Sequence, residues 1–209
     1  MTRKLARLVV ILLAAAGLVF CGTALWFAWG GISARNAPGR AEIRIARTLR
    51  NLAIPRDARN RSNPVDSTPE AVRAGMEHFA DHCAVCHAND GSGETEMGRG
   101  LYPRPPDMQQ KATQSLTDGE LFYVIENGVR LTGMPAWGDG SPESELASWH
   151  LVHFIRHLSA LSEAEIGEME ALNPKSPAEL REEEDARRFL EGPGQPPRPA
   201  PVHKHGGRK

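Results

Sequence analysis

The stretch His82–Gly93 reads HCAVCHANDGSG. Cys83 and Cys86 sit three residues apart, and His87 follows the second cysteine directly. Just upstream, STPEAVRAGMEHFADH places Ser67 or Thr68 ahead of Pro69, the order of residues that starts a helix. Val72, Gly75, Met76 and Phe79 then recur at i, i+3, i+4 and i+7, which is one face of that helix. The cysteine motif therefore falls at a helix end. Downstream, residues 89–114 are rich in Gly, Pro and polar side chains around YPRPPDM, and that proline density excludes regular helix.

C-x-x-C-H is the pattern of c-type haem attachment. Two thiols one helical turn apart can each add to one vinyl group of a porphyrin, and the adjacent imidazole then lies within reach of the iron. The competing readings lack parts. A structural zinc site takes four ligands, usually from two such pairs. Here there is no second C-x-x-C, and His78 or His82 would have to complete the set, with His82 directly adjoining Cys83. A thiol–disulfide motif belongs in a βαβ setting, and no convincing strand pattern is present. Three cysteines, of which two form the motif, do not make a disulfide framework. Cys21 lies in LVFCG, where a phenylalanine precedes it rather than the small residue a lipoprotein signal requires, so it reads as a small buried hydrophobe.

An iron-based electron carrier needs a second axial ligand opposite His87. The candidates are Met76, Met97, Met108, Met134 and several histidines. Met76 lies on the apolar helix face and reads as core. Met97 and Met108 sit in polar loops. Met134 is held in TGMPAW, where Gly133 lets the backbone come close and Pro135 stiffens the loop, and it is the favoured residue.

Two more helices complete the domain. SLTDGELFYVIENG has Thr117 as N-cap, Asp118 and Glu120 at the positive end, and Asn127-Gly128 as a stop. SPESELASWHLVHFIRHLSAL starts at Ser141-Pro142 and carries an apolar stripe of Ala147, Leu151, Phe154 and Leu158. His150, His153 and His157 share its other face and read as an ordinary polar surface, as do His78 and His82.

Outside residues 67–160 the chain changes character. Leu8–Trp29 carries no charge over 22 residues. As a helix it spans about 33 Å, enough for a bilayer core of about 30 Å. It is too long for a secretory h-region, and a retained anchor over residues 1–30 is favoured over a cleaved signal. Residues 31–66 form a basic juxtamembrane tether, with eight arginines from Arg35 to Arg61 against Glu42 and Asp57. Within it AEIRIARTLRNLA can form a short amphipathic helix, with Ile43, Ala46 and Leu49 on one stripe, read as a solvated tether or, alternatively, as a face for anionic lipid or a partner subunit. Residues 161–209 read as a charged helical extension and a Pro/Gly-rich disordered tail ending in HKHGGRK. The 209 residues fit one domain with appendages, and 20 glycines with 16 prolines predict a modest core with long irregular segments. The net charge of −1 selects no partner class, and no nucleic-acid partner is expected.

FADHCAVCHANDGSG, YPRPPDM, LTDGELFYVIENGVRLTGMPAWG and SWHLVHFIRHL together resemble class I cytochrome c domains. The likeness is to the single-haem domain of oxidase-associated and membrane-anchored bacterial cytochromes, over residues 67–160. It implies an all-α class I cytochrome c fold around one covalent haem c attached to Cys83 and Cys86, with the iron bound by His87 and Met134. It also implies crosswise packing of the first and last helices, with Gly75 and Phe79 against Leu151 and Phe154, and haem-wall roles for Pro105 and Pro106. The function so implied is single-electron transfer between redox protein partners in or near the bacterial inner membrane, without enzymatic activity of its own. A tightly bound subunit of an oxidase or dehydrogenase is the alternative, followed by a haem sensor or peroxidase with an open sixth site. Arg3, Lys4 and Arg7 before the anchor and Arg35, Arg40, Arg44 and Arg47 after it leave the charge rule undecided. Haem attachment, which takes place across the inner membrane, puts the domain in the periplasm.

Overall fold

The structure is a computed structural model that describes residues 3–30, 33–175 and 177–191. Every element among them is helical. The expected disordered tail, with His203 and His205, lies outside the described residues.

Helix α1, Arg3–Gly30, opens with Arg3, Lys4 and Arg7 and carries no charge from Leu8 on. Among the described residues it is the one helix long and apolar enough to cross a membrane, and the rest of the protein covers none of that span. Cys21 is exposed on it, not buried as expected, because no other described element packs against this span. Helix α2, Arg40–Ala53, follows, and α3 is a single turn, Arg56–Arg59.

The domain begins with α4, Pro69–His78. Thr68 caps it by accepting the Ala71 N–H at 3.2 Å, and Pro69 occupies the first turn, where its missing N–H costs nothing. The helix then widens into a π-helical turn, Phe79–Cys83, before α5, Ala84–His87. The short α6 and α7, Glu96–Arg99 and Lys111–Gln114, punctuate the Gly/Pro-rich loop. Helix α8, Asp118–Asn127, opens with a capping box between Thr117 and Glu120 and stops at Gly128, whose φ of 64° is open to glycine. Helix α9, Pro142–His157, is capped by Ser141 and ends in a 3₁₀ turn, Leu158–Ala160. Helix α10, Glu163–Leu172, has its own capping box, Ser162 with Glu165.

The core forms where α4 crosses α9. Gly75 makes that crossing close: a Cβ there would lie 2.1 Å from the His150 carbonyl oxygen. Phe79 and Phe154 meet beside it with ring centroids 5.1 Å apart. A second cluster stacks Phe122 of α8 on Trp149 of α9, 4.0 Å apart and nearly parallel. Helix α10 adds the fully buried Met169 to this core, so the compact unit continues to Asn173.

The later part of the basic segment lies against the domain. Ile54 is buried. Arg59 pairs with Glu120 at 2.9 Å, and its carbonyl accepts the Thr117 hydroxyl at 2.8 Å. The Arg61 guanidinium sits 4.5 Å over the Phe122 ring. The Asn63 amide donates to the Trp149 carbonyl, and His153 Nε2 lies 2.8 Å from the Val65 carbonyl. The arginines thus spend their charge on a buried carboxylate and an aromatic face, not only on solvent.

Helix α11, Pro177–Glu191, belongs to a second unit. It is held by its own ion pairs, Lys175 with Glu183 and Arg188 with Glu184.

Candidate functional site

The π-helical turn delivers the cysteine motif. Its wider turn takes an extra residue into the helix, which rotates everything after it by about 100° relative to α4. Phe79 remains in the core, while Cys83 and Cys86, both free thiols, reach the half-exposed side. Burial, then the neighbouring Cys86, pushes the Cys83 thiol up to about 12. Burial also raises Cys86. His87 is buried behind Phe79, ring centroids 6.4 Å apart. Burial pushes its imidazole down to about 4, so the ring is neutral at neutral pH and keeps a lone pair.

The chain leaves His87 through a strained residue. Ala88 has φ 60° and ψ 158°, a region that side chains avoid. Gly93 then donates its N–H back to the His87 carbonyl at 2.8 Å. From there a circuit of contacts runs around the motif. Thr95 Oγ1 donates to the Cys86 carbonyl at 3.3 Å, and a Cβ on Gly98 would lie 2.6 Å from that same oxygen. The Leu101 N–H reaches the Gly98 carbonyl, and the Leu101 side chain closes on Gly133, where a Cβ would lie 2.7 Å from it. Met134 is next in the chain and half-buried. Its N–H donates to Thr132 Oγ1 at 3.1 Å and its carbonyl accepts from Val129. Pro135 packs its backbone on Gly128. Trp137, whose N–H is held by the Ile125 carbonyl, meets the His82 ring edge-on at 5.4 Å, and His82 adjoins Cys83. Leu131, in the same loop as Met134, has φ 63° and is 91% exposed. Ala88 and Leu131 are the non-glycine residues of positive φ among those described, one in each loop.

The other candidate sulfurs are placed differently. Met76 and Met108 are buried in the core, and Met97 is exposed. Pro105 packs on Gly93, and Pro106 is exposed.

The family model described as cytochrome C oxidase, cbb3-type, subunit III matches residues 70–155. This stretch is a class I cytochrome c domain. No curated protein matches the chain. The family is one of electron transfer, and its cofactor is a covalently bound haem c with its iron. The residues of this cytochrome c domain fit that group. Both thiols are free, and His87 Nδ1 is buried with no hydrogen-bond partner. An orphaned polar atom of that kind costs about 1–3 kcal/mol, so stability alone does not account for it.

The remaining histidines go elsewhere. His157 pairs with Glu165 at 2.8 Å, His153 faces the Val65 carbonyl, and the His78 ring meets that of His82 at a 47° tilt with centroids 4.8 Å apart. No group of three or more His, Cys, Asp and Glu that could hold a metal occurs among the described residues. Sequence reasoning missed the roles of Trp137 and Leu101, which join the methionine loop to the motif. Both are apolar residues in loops, and no spacing sets them apart from ordinary core.

Proposed function

We propose that this protein is a membrane-anchored c-type cytochrome that passes single electrons between redox partners, its haem attached to Cys83 and Cys86 and its iron held by His87 and Met134. The observation carrying this reading is the contact circuit that ties the loop of Met134 to the cysteine motif through Leu101 on one side and Trp137 on the other. It is supported by the burial of Met76 and Met108 in the core.

When bound, the haem supplies a one-electron couple. The chain's own residues set its terms. His87, kept neutral by burial, offers nitrogen. Met134 offers a thioether, which favours the reduced state relative to a second imidazole. Gly133 and Pro135, both pressed on neighbours, keep that sulfur in place, so little rearranges when the charge changes. No substrate chemistry is needed, and α1 confines the carrier to a membrane surface, which raises its concentration near membrane-bound partners. Thioether formation takes place outside the inner membrane, so the domain belongs on the periplasmic side.

Met134→Ala tests the ligand. The expected result is a lower reduction potential, loss of the sulfur-to-iron charge-transfer band in the ferric spectrum, and rapid carbon monoxide binding once reduced. An unchanged spectrum refutes the assignment of Met134.

The matched family description favours a second reading, a subunit held tightly in an oxidase. Extraction in mild detergent separates the two: a free carrier elutes alone, and a subunit elutes with a larger complex.

A further inference from the structure

Helix α2 has an apolar stripe that no other described residue covers. Ile45, Leu49 and Leu52 follow one another at i, i+4 and i+7 and are 60, 59 and 76% exposed. No residue of this helix is buried. Its ties to the domain run through Glu42, which accepts the Tyr102 hydroxyl, through the Asn51 carbonyl, which accepts from Arg59, and through the half-buried Arg50, which feels the charge of Glu120. Those ties leave the stripe free. The same helix carries Arg40, Arg44, Arg47 and Arg50 against the single acid Glu42.

We propose that α2 is an interfacial helix, lying with Ile45, Leu49 and Leu52 in the headgroup region of an anionic bilayer. The proposal rests on α1 being a retained anchor. Residues 31–39 are then the whole link between a membrane span and α2, and nine residues reach at most about 32 Å when fully extended. The helix is held within that distance of a lipid surface throughout the life of the protein. An apolar stripe on an arginine-rich helix is the composition that settles at such a surface: the stripe enters the acyl boundary while guanidinium groups reach the phosphates. Juxtamembrane basic segments are drawn to anionic lipid in particular. A second copy of α2 is a poor occupant. Four arginines per helix would oppose one another, and three side chains fall far short of the roughly 1,000 Å² of a stable protein interface. The consequence for function is orientation. Glu42 holds Tyr102, and the adjacent Leu101 packs on Gly133 beside Met134, so a docked α2 fixes how the methionine loop faces the membrane.

The test uses the full haem-loaded chain in nanodiscs of phosphatidylcholine alone or with phosphatidylglycerol added. Amide hydrogen exchange is read over residues 40–53. The expected result is exchange at least tenfold slower in the discs that contain phosphatidylglycerol. An Ile45→Asp/Leu49→Asp variant should return to the rate seen in phosphatidylcholine, with its visible haem spectrum unchanged. Equal rates in the two kinds of disc overturn the proposal, as does protection that survives the double substitution. Co-elution of chain and disc is scored separately: a chain that does not co-elute overturns the anchor reading, and the proposal with it.

Discussion

Replacing Gly75 with alanine should open the crossing on which the whole site stands. A methyl group there would lie 2.1 Å from the His150 carbonyl oxygen, 2.6 Å from its carbon and 2.9 Å from Phe154 Cβ. Carbon and oxygen settle no closer than about 3.3 Å, so α4 and α9 must part by about 1 Å. Backbone lies on both sides, which puts the cost at the upper end of overpacking, about 3 kcal/mol. The same gap weakens the pair of Phe79 and Phe154, 5.1 Å apart, by about 1 kcal/mol. Removing a helical glycine returns about 1 kcal/mol. The net loss is about 3 kcal/mol. For a domain of about 100 residues, each kcal/mol moves the melting midpoint by about 4–8 °C, so the expected drop is about 12–24 °C. Thermal melting of the haem-loaded protein, followed by far-UV circular dichroism, measures it. Gly167→Ala is the control. That glycine sits in α10 with nothing within 4 Å of its Cβ position, and the substitution should stabilise by up to about 1 kcal/mol. Because α4 runs directly into the π-helical turn, the Gly75 variant should also carry covalent haem on a smaller fraction of its chains. If it melts within about 2 °C of the parent, the close crossing is wrong.

Three further outcomes are expected. Ala88→Gly relieves a backbone conformation worth about 1–3 kcal/mol, less the entropy glycine loses on folding, and should raise the denaturant midpoint by the equivalent of about 1 kcal/mol. An unchanged or lower midpoint would show that Ala88 is unstrained. Arg59→Ala leaves Glu120, which is 7% exposed, without its cation and should cost about 2 kcal/mol in chemical denaturation, whereas Arg56→Ala should cost almost nothing. Burial, then His82, holds the His78 imidazole below its ordinary value, against a smaller opposing effect of Asp81. The folded state thus prefers the neutral ring. The unfolded chain takes up the proton first as pH falls below about 6.5, so this contribution is full above that pH and is lost on acidification. A His78→Gln variant should therefore lose less stability than the parent between about pH 7 and about pH 5, and parallel melting-midpoint curves would contradict the assignment.

The elements that could be read locally are those whose signals are local. Thr68-Pro69, Thr117 with Glu120, Ser141-Pro142 and Asn127-Gly128 state their helix boundaries within a few residues, because a cap satisfies N–H or C=O groups one turn away. Gly75, Phe79 and Phe154 were legible as the crossing through family resemblance. The π-helical turn was not: FADHC is compatible with ordinary helix, and the extra residue is accommodated only once Phe79 is locked in the core. The arginines from Arg35 to Arg61 looked uniform along the chain, and Arg59 and Arg61 are told apart only by Glu120 and by the stack of Phe122 on Trp149, some 60 to 90 residues away.

The motif and the apolar span could be read from sequence alone: C-x-x-C-H brings two sulfurs and an imidazole together within five consecutive residues, and an apolar span is marked by composition and length. The tertiary structure alone decided that Met108, a loop residue by sequence, is core, that Leu101 and Trp137 tie the methionine loop to the cysteine motif, and which face of α2 the other described residues leave bare. Those outcomes depend on contacts between residues tens of positions apart, where a side chain's neighbours are set by how helices pack and not by the residues beside it in the chain.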